Sequence, residues 1–328
     1  MIVRPQSLLG MYLELKEAAG SADDYPNLLG NYQHKLLVDA FKGVPSNWPL
    51  ICWRTEVSDF KGHDRNMLGE AQDLIQKTFP GGHTEDQMLR EDKWTISAVE
   101  WGRDFSIGRQ VIINDDLNAF RTVPQKLGRA AARTVAKYAI QTILEGNPNA
   151  YDAKTLFDPT HVGIDNHESG WALTLDATGM GYLEDAYERI MAATDEEGNT
   201  IGLVPKYLLV PIGLQGVANA FLKNDTVGTG TGQTNNRMQG KLTPLVEHFL
   251  TSAAAWYVVC DPADIPCIEI AFLDGKDIPD LLVKKPEYQN LAGGDDPFGY
   301  EFGDLNYRVR YDFGGSVGFY QGMFKGGA

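Results

Sequence analysis

The sequence has few cysteines, fewer basic than acidic residues, and no long hydrophobic run. Its three cysteines (Cys52, Cys260 and Cys267) do not suggest a disulfide framework in 328 residues, and they indicate a reducing compartment. Lys and Arg total 29 against 44 Asp and Glu, and the net charge of −15 argues against a general nucleic-acid binder and against docking on anionic lipid. The longest apolar run, AAAWYVVC at 253–260, is shorter than the roughly 20 residues of a membrane-spanning helix. We therefore expect a soluble, acidic protein made in the cytoplasm.

Two strand-like stretches flank a long polar connection. Apolar and polar residues alternate in ICWRTEVS (51–58), and a second extended stretch covers about 94–113. The connection over 59–93 is far longer than the roughly 12–15 residues usual inside a compact domain. Apolar residues between Leu68 and Ile75 predict one short amphipathic helix within it. We interpret the two strands and their connection as a protruding hairpin.

A long helix is predicted over 122–145. Thr122 and Gln125 fit a capping box, and Pro124 suits the first turn of a helix. Apolar residues then recur every four positions until Gly146 ends the pattern. The helix also carries a stripe of alanines, which would let a sheet or another helix approach closely.

After the long helix the pattern becomes a mixture of helices and strands. Helical spacing of apolar residues predicts one helix over 181–194 and another that starts at Pro211. The predicted strands are KYLLV (206–210), AAWYVVC (254–260), IEIAF (268–272), YRVRYDF (307–313) and VGFY (317–320). This alternation predicts the α+β class.

The sequence lacks a recognisable catalytic motif. The glycine-rich loop GTGTG (228–232) leaves a helix and lacks the GK[ST] of a P-loop, so we interpret it as a surface loop. His161, Asp165 and His167 could supply metal ligands, but their spacing matches no standard metal site. We therefore expect no catalytic residue, no metal and no cofactor, and thus no enzyme. A metal-dependent hydrolase that uses these three residues remains an alternative.

Five segments occur in an order typical of one protein family: IINDDLNAF (112–120), LFDPTH (156–161), VPKYLLVPIGLQGVANAFL (204–222), AAWYVVCDPADIPCIEIAFLDG (254–275) and YRVRYDFGG (307–315). With the predicted hairpin and long helix, they resemble the major capsid proteins of tailed phages, whose fold is named after the Hong Kong phage 97. Within this family the chain is most similar to the Mu-like major head subunits. One departure is that many Mu-like subunits have HGN after the LFDP turn, where this chain has His161, Val162 and Gly163.

The resemblance implies an α+β, Hong Kong 97-like fold with a particular division of the chain. Residues 1–48 would form the N-terminal arm, and 49–112 the E-loop hairpin with its flanking strands. Residues 113–150 would form the peripheral domain with the spine helix, and 151–255 the axial domain. The late strands, 256–328, would lie mostly in the peripheral domain and return to the axial domain.

The implied function is that of a major capsid protein of a tailed double-stranded DNA phage or prophage, which self-assembles into an icosahedral shell around the genome. The implied partners are other copies in hexamers and pentamers, a portal, a separate scaffolding protein, a decoration protein, and packaged DNA without sequence-specific contact. No membrane partner is expected. The protein would be assembled in the host cytoplasm and end in the virion. An encapsulin-like nanocompartment shell is the alternative with the same fold.

Large apolar, aromatic and basic side chains in the arm and hairpin regions are the candidates for contacts between subunits. They are Tyr12, Tyr32, Leu68, Leu74, Ile75, Phe79, Trp94, Trp101 and Arg103. Aromatic residues and arginine are enriched in the cores of protein interfaces, which is the physical reason for choosing them.

Overall fold

The computed structural model describes residues 24–68, 91–108, 119–228, 233–284 and 304–327. These residues fall into two compact units. Unit 1 contains the described residues up to Pro45, from Val99 to Val135 and from Lys276 to Phe313, and unit 2 contains the others.

The secondary structure of the described residues is mixed. The helices are α1 (Asp24–Lys42), α2 (Trp48–Ile51), α3 (Ala119–Lys137) with a π-helical continuation (Tyr138–Glu145), α4 (Ala177–Met191), and α5 (Gln215–Lys223) preceded by a 3-10 turn (Ile212–Leu214). The strands are β1 (Trp53–Val57), β2 (His63–Leu68), β3 (Glu91–Ile96), β4 (Val99–Gly108), β5 (His167–Glu168), β6 (Pro205–Pro211), β7 (Thr226–Val227), β8 (Thr234–Asn235), β9 (Thr243–Glu247), β10 (Trp256–Cys260), β11 (Ile268–Leu273), β12 (Asp280–Val283), β13 (Asp304–Val317) and β14 (Met323–Gly326).

Unit 1 is built on an antiparallel sheet of β12, β13 and β4. Strand β13 pairs along one edge with β4, from Asp304 opposite Gly108 to Phe313 opposite Val99, and β12 pairs with its other edge. The clean alternation of YRVRYDF predicts a strand with one buried face, and this is confirmed because its Tyr, Val and Phe side chains are buried while its charged ones are not.

Helix α1 lies against the buried face of this sheet. Phe41 meets Tyr311 edge to face, with ring centres 5.7 Å apart. The Gln33 side-chain amide donates a hydrogen bond of 2.9 Å to the Tyr307 hydroxyl, so the buried phenol has a partner. Helix α1 thus contributes Gln33, Leu37 and Phe41 to the packing of unit 1.

The backbones of α1 and α3 are in close contact at Gly128. A Cβ atom at Gly128 would lie 2.3 Å from the carbonyl oxygen of Leu37. We expect Gly128→Ala to destabilise the unassembled subunit by about 1–3 kcal/mol because the two helices must separate. Urea unfolding measures the loss. Gly181→Ala in α4 is the control, since that site is open and alanine there should add about 0.5–1 kcal/mol. Equal unfolding midpoints for the two variants would contradict this packing.

The long helix predicted over 122–145 is confirmed, but its start is different. Helix α3 already includes Ala119, so Thr122 lies inside the helix and the predicted capping box is wrong. Pro124 is the sixth residue of the helix and not part of its first turn as predicted, so its missing N–H removes one hydrogen bond within the helix. The residues at i+4 spacing are buried as predicted: Val123, Leu127, Ala131, Val135, Ala139 and Ile143.

The larger sheet of unit 2 has the strand order β5-β14-β10-β6-β9. Strand β10 pairs antiparallel with β14 and β6, whereas the outer pairs β14–β5 and β6–β9 are parallel. All of β10 is buried, which explains why AAWYVVC shows an apolar run instead of alternation. Helix α4 packs on β14 and β6, and α5 packs on β9 and β6.

Helix α4 starts earlier than its apolar spacing predicts. The predicted span was 181–194, whereas the helix runs over Ala177–Met191. The Asp176 carboxylate caps it by accepting a hydrogen bond of 2.8 Å from the Gly179 amide. The cap makes up for the weak helix preference of the two glycines in the first turns, Gly179 and Gly181.

The second extended stretch, predicted over about 94–113, forms two strands in its described part, and 109–113 lie outside the described residues. Strand β3 ends at Ile96 and β4 begins at Val99. Between them the Ser97 carbonyl lies against the backbone of Gly314, where a Cβ atom would be only 1.9 Å from the Ser97 oxygen. The predicted strand 51–58 is β1, but it pairs in parallel with β11, from Trp53 opposite Glu269 to Val57 opposite Leu273. The partner of β3 is instead β2, within the stretch predicted to be a connection.

The predicted strand VGFY is wrong. Strand β13 ends at Val317, and the last strand is β14, Met323–Gly326. Between them the Gly318 amide donates to the Cys267 carbonyl at 2.9 Å, and Tyr320 and Met323 form a turn. A side chain at position 318 would be crowded, because a Cβ there would lie 2.6 Å from the Pro266 carbonyl oxygen.

The three cysteines are buried in unit 2 and unbonded. Burial raises the pKa of each thiol, to about 12 for Cys260 and further for Cys52 and Cys267. Since the thiolate is the reactive form, these side chains are poor nucleophiles at neutral pH.

Candidate assembly surfaces

The hairpin of β2 and β3 has two different faces. Its register runs from His63 opposite Ile96 to Leu68 opposite Glu91. On the exposed face, Asp64 accepts hydrogen bonds from Lys93 at 3.0 Å and from the Thr95 hydroxyl at 2.7 Å. The Thr95 hydroxyl and the Lys93 ammonium hold the pKa of Asp64 below its usual range. This face is therefore polar and satisfied within the hairpin.

The base of the hairpin is part of a small hydrophobic core in unit 2. Ile96 and Ala98 are buried together with Val57 of β1 and Ala271 of β11. One pair further out, the Trp94 ring packs edge to face on Phe319 with centres 5.4 Å apart. The hairpin is thus attached to the sheet of β1 and β11 by apolar contacts at its root.

Arg65 adds a polar attachment beside this core. Its Nη2 donates to the Thr55 hydroxyl of β1 at 2.6 Å and to the Glu56 carbonyl at 3.4 Å. Its Nε lies 3.6 Å from the Oε2 atom of Glu269 on β11. Glu269 is buried, and burial raises its pKa by more than Arg65 and the Trp94 indole lower it. An ionised carboxylate at this position is therefore paired but costly.

Strand β4 exposes a row of apolar side chains along one edge of the unit 1 sheet. Val99, Trp101 and Phe105 are 53%, 37% and 43% exposed. Trp101 also packs inward, with its ring stacked on Phe313 at 5.3 Å and its indole N–H donating to the Phe313 carbonyl at 3.2 Å. Within the described ranges β4 pairs with β13 alone, and an edge of this kind is a template for another chain.

The opposite face of the same sheet is charged. Arg308 holds Asp104 through two hydrogen bonds of 2.6 and 2.8 Å, which lowers the pKa of Asp104. Arg310 reaches Asp280 at 3.3 Å. Burial, and to a smaller extent neighbouring carboxylates, raises the pKa of Asp312. Because these pairs are exposed, they contribute little to the stability of the sheet.

His161, a candidate metal ligand, lies in a buried polar cluster of unit 2. Its Nδ1 is 2.7 Å from Asp152 Oδ2, and its Nε2 is 2.8 Å from the Thr155 carbonyl oxygen. The ring stacks on Tyr320 at 3.8 Å. Asp165 pairs with an arginine instead, Arg189, at 2.9 Å. Both nitrogens of His161 are thus used inside the protein.

Among the described residues, no three or more His, Cys, Asp and Glu side chains are grouped so that they could hold a metal ion. The geometry therefore does not favour the metal-dependent hydrolase that the sequence left open. Among the described helices, none is both long and apolar enough to cross a membrane.

Comparison with known proteins identifies the family. The family model described as "Phage capsid protein" matches residues 92–326. The chain belongs to the phage capsid protein family. A relative within reach of sequence comparison is the major capsid protein of Escherichia phage Mu, with 27% identity over 113 residues. That alignment covers 30% of this chain and 37% of the Mu protein, so it spans little more than a third of the relative's length.

Solved phage capsids share the fold. The capsid structure of cyanophage P-SCSP1u superposes with a TM-score of 0.56 at 12% identity, covering 87% of this chain and 88% of that one. The capsid of bacteriophage JBD30 decorated with minor capsid protein trimers gives 0.54 at 15% identity, covering 63% and 92%. The predicted α+β, Hong Kong 97-like capsid fold is therefore confirmed.

The contact residues predicted for this capsid-family chain lie in different places. Trp94 is half-buried at the hairpin root, Trp101 and Arg103 lie on β4, and Tyr32 is exposed on α1. The backbone of Leu68 pairs with Glu91 at the end of β2. The other candidates lie outside the described residues, and these are Tyr12, Leu74, Ile75 and Phe79.

Sequence reasoning missed several residues of these surfaces. Phe105 and Val99 belong to the exposed row of β4, and period-two spacing with Trp101 was the available signal. Arg65 and Glu269 were missed because they are separated by two hundred residues of chain and nothing in their local sequence marks them as a pair.

Proposed function

We propose that this protein is the major capsid protein of a tailed double-stranded DNA phage or prophage, and that copies of it form the icosahedral wall of the head. The observation that carries the proposal is the capsid family match over residues 92–326, on a chain whose described part has the capsid fold. We infer a structural role without catalysis. We also infer that the β2–β3 hairpin and the connection it carries form the E-loop, and that α3 with its continuation is the spine helix.

The described surfaces suit a wall made of many copies. A shell subunit contacts several neighbours at once, so each contact can be weak and still hold through effective concentration. The hairpin and the edge strand β4 offer such contacts, and closed symmetry then fixes the size of the shell. We propose that Tyr32, Trp101 and Arg103 bind neighbouring copies in hexamers and pentamers. Trp94 supports these contacts indirectly, because it packs on Phe319 and so helps to hold the hairpin.

The proposed partners follow from the same role. A portal and a separate scaffolding protein would be needed to build the head, and the JBD30 capsid carries minor capsid protein trimers, which makes a decoration protein a reasonable partner. The net charge of −15 fits a shell wall that encloses DNA without binding it tightly. The mature location would be the virion, after assembly in the host cytoplasm.

Electron microscopy of the purified protein tests the proposal. We expect closed, uniform particles, and in particles from an infected or induced host we expect nuclease-protected double-stranded DNA. A protein that remains a monomer or dimer at assembly concentrations would contradict a shell role. Particles that enclose a cargo enzyme in place of DNA would instead indicate the encapsulin-like alternative.

The edge strand gives a residue-level test of these contacts. Phe105→Lys should cut particle yield by roughly tenfold or more, because a charge enters an apolar contact between copies, while the unfolding free energy of the subunit changes by less than about 0.5 kcal/mol. Leu282→Lys is the matched control, since Leu282 is a similarly exposed apolar residue, 40% against 43%, on the other face of the same sheet. Equal yields from both variants would contradict a contact at Phe105.

A further inference from the structure

Two residues at the same position along the hairpin, one from each strand, contact the rest of unit 2. Arg65 of β2 and Trp94 of β3 stand directly opposite each other in the hairpin register. Trp94 packs on Phe319, and a Cβ at Gly318 would lie 3.4 Å from its ring. Arg65 bonds Thr55 and faces Glu269. This pair of residues is therefore the outermost polar and apolar attachment that the described contacts show.

The ion pair between Arg65 and Glu269 is not optimised for the stability of the subunit. At 3.6 Å the Arg65 Nε and Glu269 Oε2 atoms are beyond an ideal hydrogen bond. Burial raises the pKa of Glu269 despite the arginine, which means that the carboxylate costs more at this position than it would in water. A glutamine would fill the same space without that cost. A charge kept at a cost to stability points to a role other than stability.

A small change in angle at this attachment would move the far part of the hairpin by a large distance. Leu68, three residues beyond Arg65 on β2, is about 10 Å further along an extended strand. Any rotation about Arg65 is therefore amplified towards the end of the hairpin. By contrast, the Asp64–Lys93 pair lies on the exposed face and joins the two strands only to each other.

We propose that the Arg65–Glu269 ion pair is a positioning device, which sets the direction in which the β2–β3 hairpin leaves unit 2 and so the geometry with which neighbouring copies bind. This inference rests on the proposed function. Arg65 acts through the hairpin and not through direct contact with another copy. The charges select one hairpin orientation, and the apolar root at Ile96 and Ala98 holds the hairpin to the sheet in any orientation.

Three variants separate positioning from stability: Glu269→Gln, Arg65→Met and the double variant. We expect Glu269→Gln to leave the urea midpoint unchanged or higher, but to speed hydrogen–deuterium exchange of the β2 and β3 amides by about tenfold in the unassembled subunit. Arg65→Met should lower the midpoint because Glu269 is left buried without its partner. The double variant should recover the midpoint and keep the fast exchange. All three should give few or irregular particles by electron microscopy.

Lys93→Met is the matched control, because it removes an ion pair of the same hairpin on its exposed face. Its exchange rates and particles should match the wild type. The inference is wrong if Glu269→Gln keeps wild-type exchange and uniform shells, or if the double variant recovers shells together with its midpoint. If the wild-type protein forms no shells, the proposed function is wrong. The exchange rates of the variants would still show whether the Arg65–Glu269 pair holds the hairpin, so the two failures can be told apart.

Discussion

Replacement of residues 69–90 by Asn-Gly is expected to abolish shell formation and to leave the subunit folded. The described hairpin register runs as far as Leu68 opposite Glu91, so a two-residue turn placed there can join the strands without disturbing this pairing. The core at the hairpin root, including Ile96 and Ala98, is untouched. We expect an unfolding free energy within about 1 kcal/mol of the wild type. Electron microscopy should show no closed particles.

A second variant separates length from sequence. A Gly-Ser linker of the original length in place of 69–90 keeps the spacing of the chain but removes Leu74, Ile75 and Phe79, which we propose as contacts. We expect this variant to assemble no better than the shortened one. Normal particles from the shortened protein would show that the connection has no part in the wall, and the E-loop assignment would then be wrong.

Asp152→Ala is expected to destabilise unit 2 by about 1–3 kcal/mol, the cost of leaving a buried polar group without its hydrogen-bond partner. The Thr155 carbonyl can only accept, so the Nε2 atom of His161 carries a hydrogen. Its Nδ1 atom lies within hydrogen-bond distance of a carboxylate oxygen of Asp152, at 2.7 Å. Without Asp152 this second nitrogen has lost its partner in a fully buried site. Chemical unfolding of the unassembled subunit measures the loss.

Asp152→Asn is the informative comparison. Its amide can donate to an unprotonated Nδ1, so every group of the cluster keeps a partner and the loss should be about 1 kcal/mol or less. If the alanine and asparagine variants lose similar amounts of unfolding free energy, the hydrogen bond between Asp152 and His161 does not stabilise the cluster. The stacked Tyr320 ring, 3.8 Å from the imidazole, makes near-ultraviolet circular dichroism a second readout of the same site.

The features that the sequence predicted well are those decided by local burial. The i+4 apolar row from Val123 to Ile143 predicted the long helix, because a helix that buries one side must repeat at that spacing. The buried strands β6 and β10 stood out as β-branched and aromatic runs. The capsid resemblance depended on such segments, which together span most of the chain.

The features that the sequence did not predict depend on distant parts of the chain. Strand β2 reads as polar because its hairpin has one face open to solvent, so HDRNML shows no apolar alternation. The parallel pairing of β1 with β11 could not be deduced, since registers between distant strands leave no local signal. After β13 the Gly318 amide donates to the Cys267 carbonyl, again a contact between distant residues. The hairpin attachment at Arg65 is of the same kind.

The burial of all three thiols makes this subunit convenient for chemical conjugation. Because Cys52, Cys260 and Cys267 lie inside unit 2 with raised pKa values, maleimide reagents at neutral pH should leave them unmodified. A single exposed replacement such as Ser169→Cys would then carry a fluorophore or a gold cluster at one known position on every copy. The native protein can thus be tagged site-specifically without first preparing a cysteine-free background.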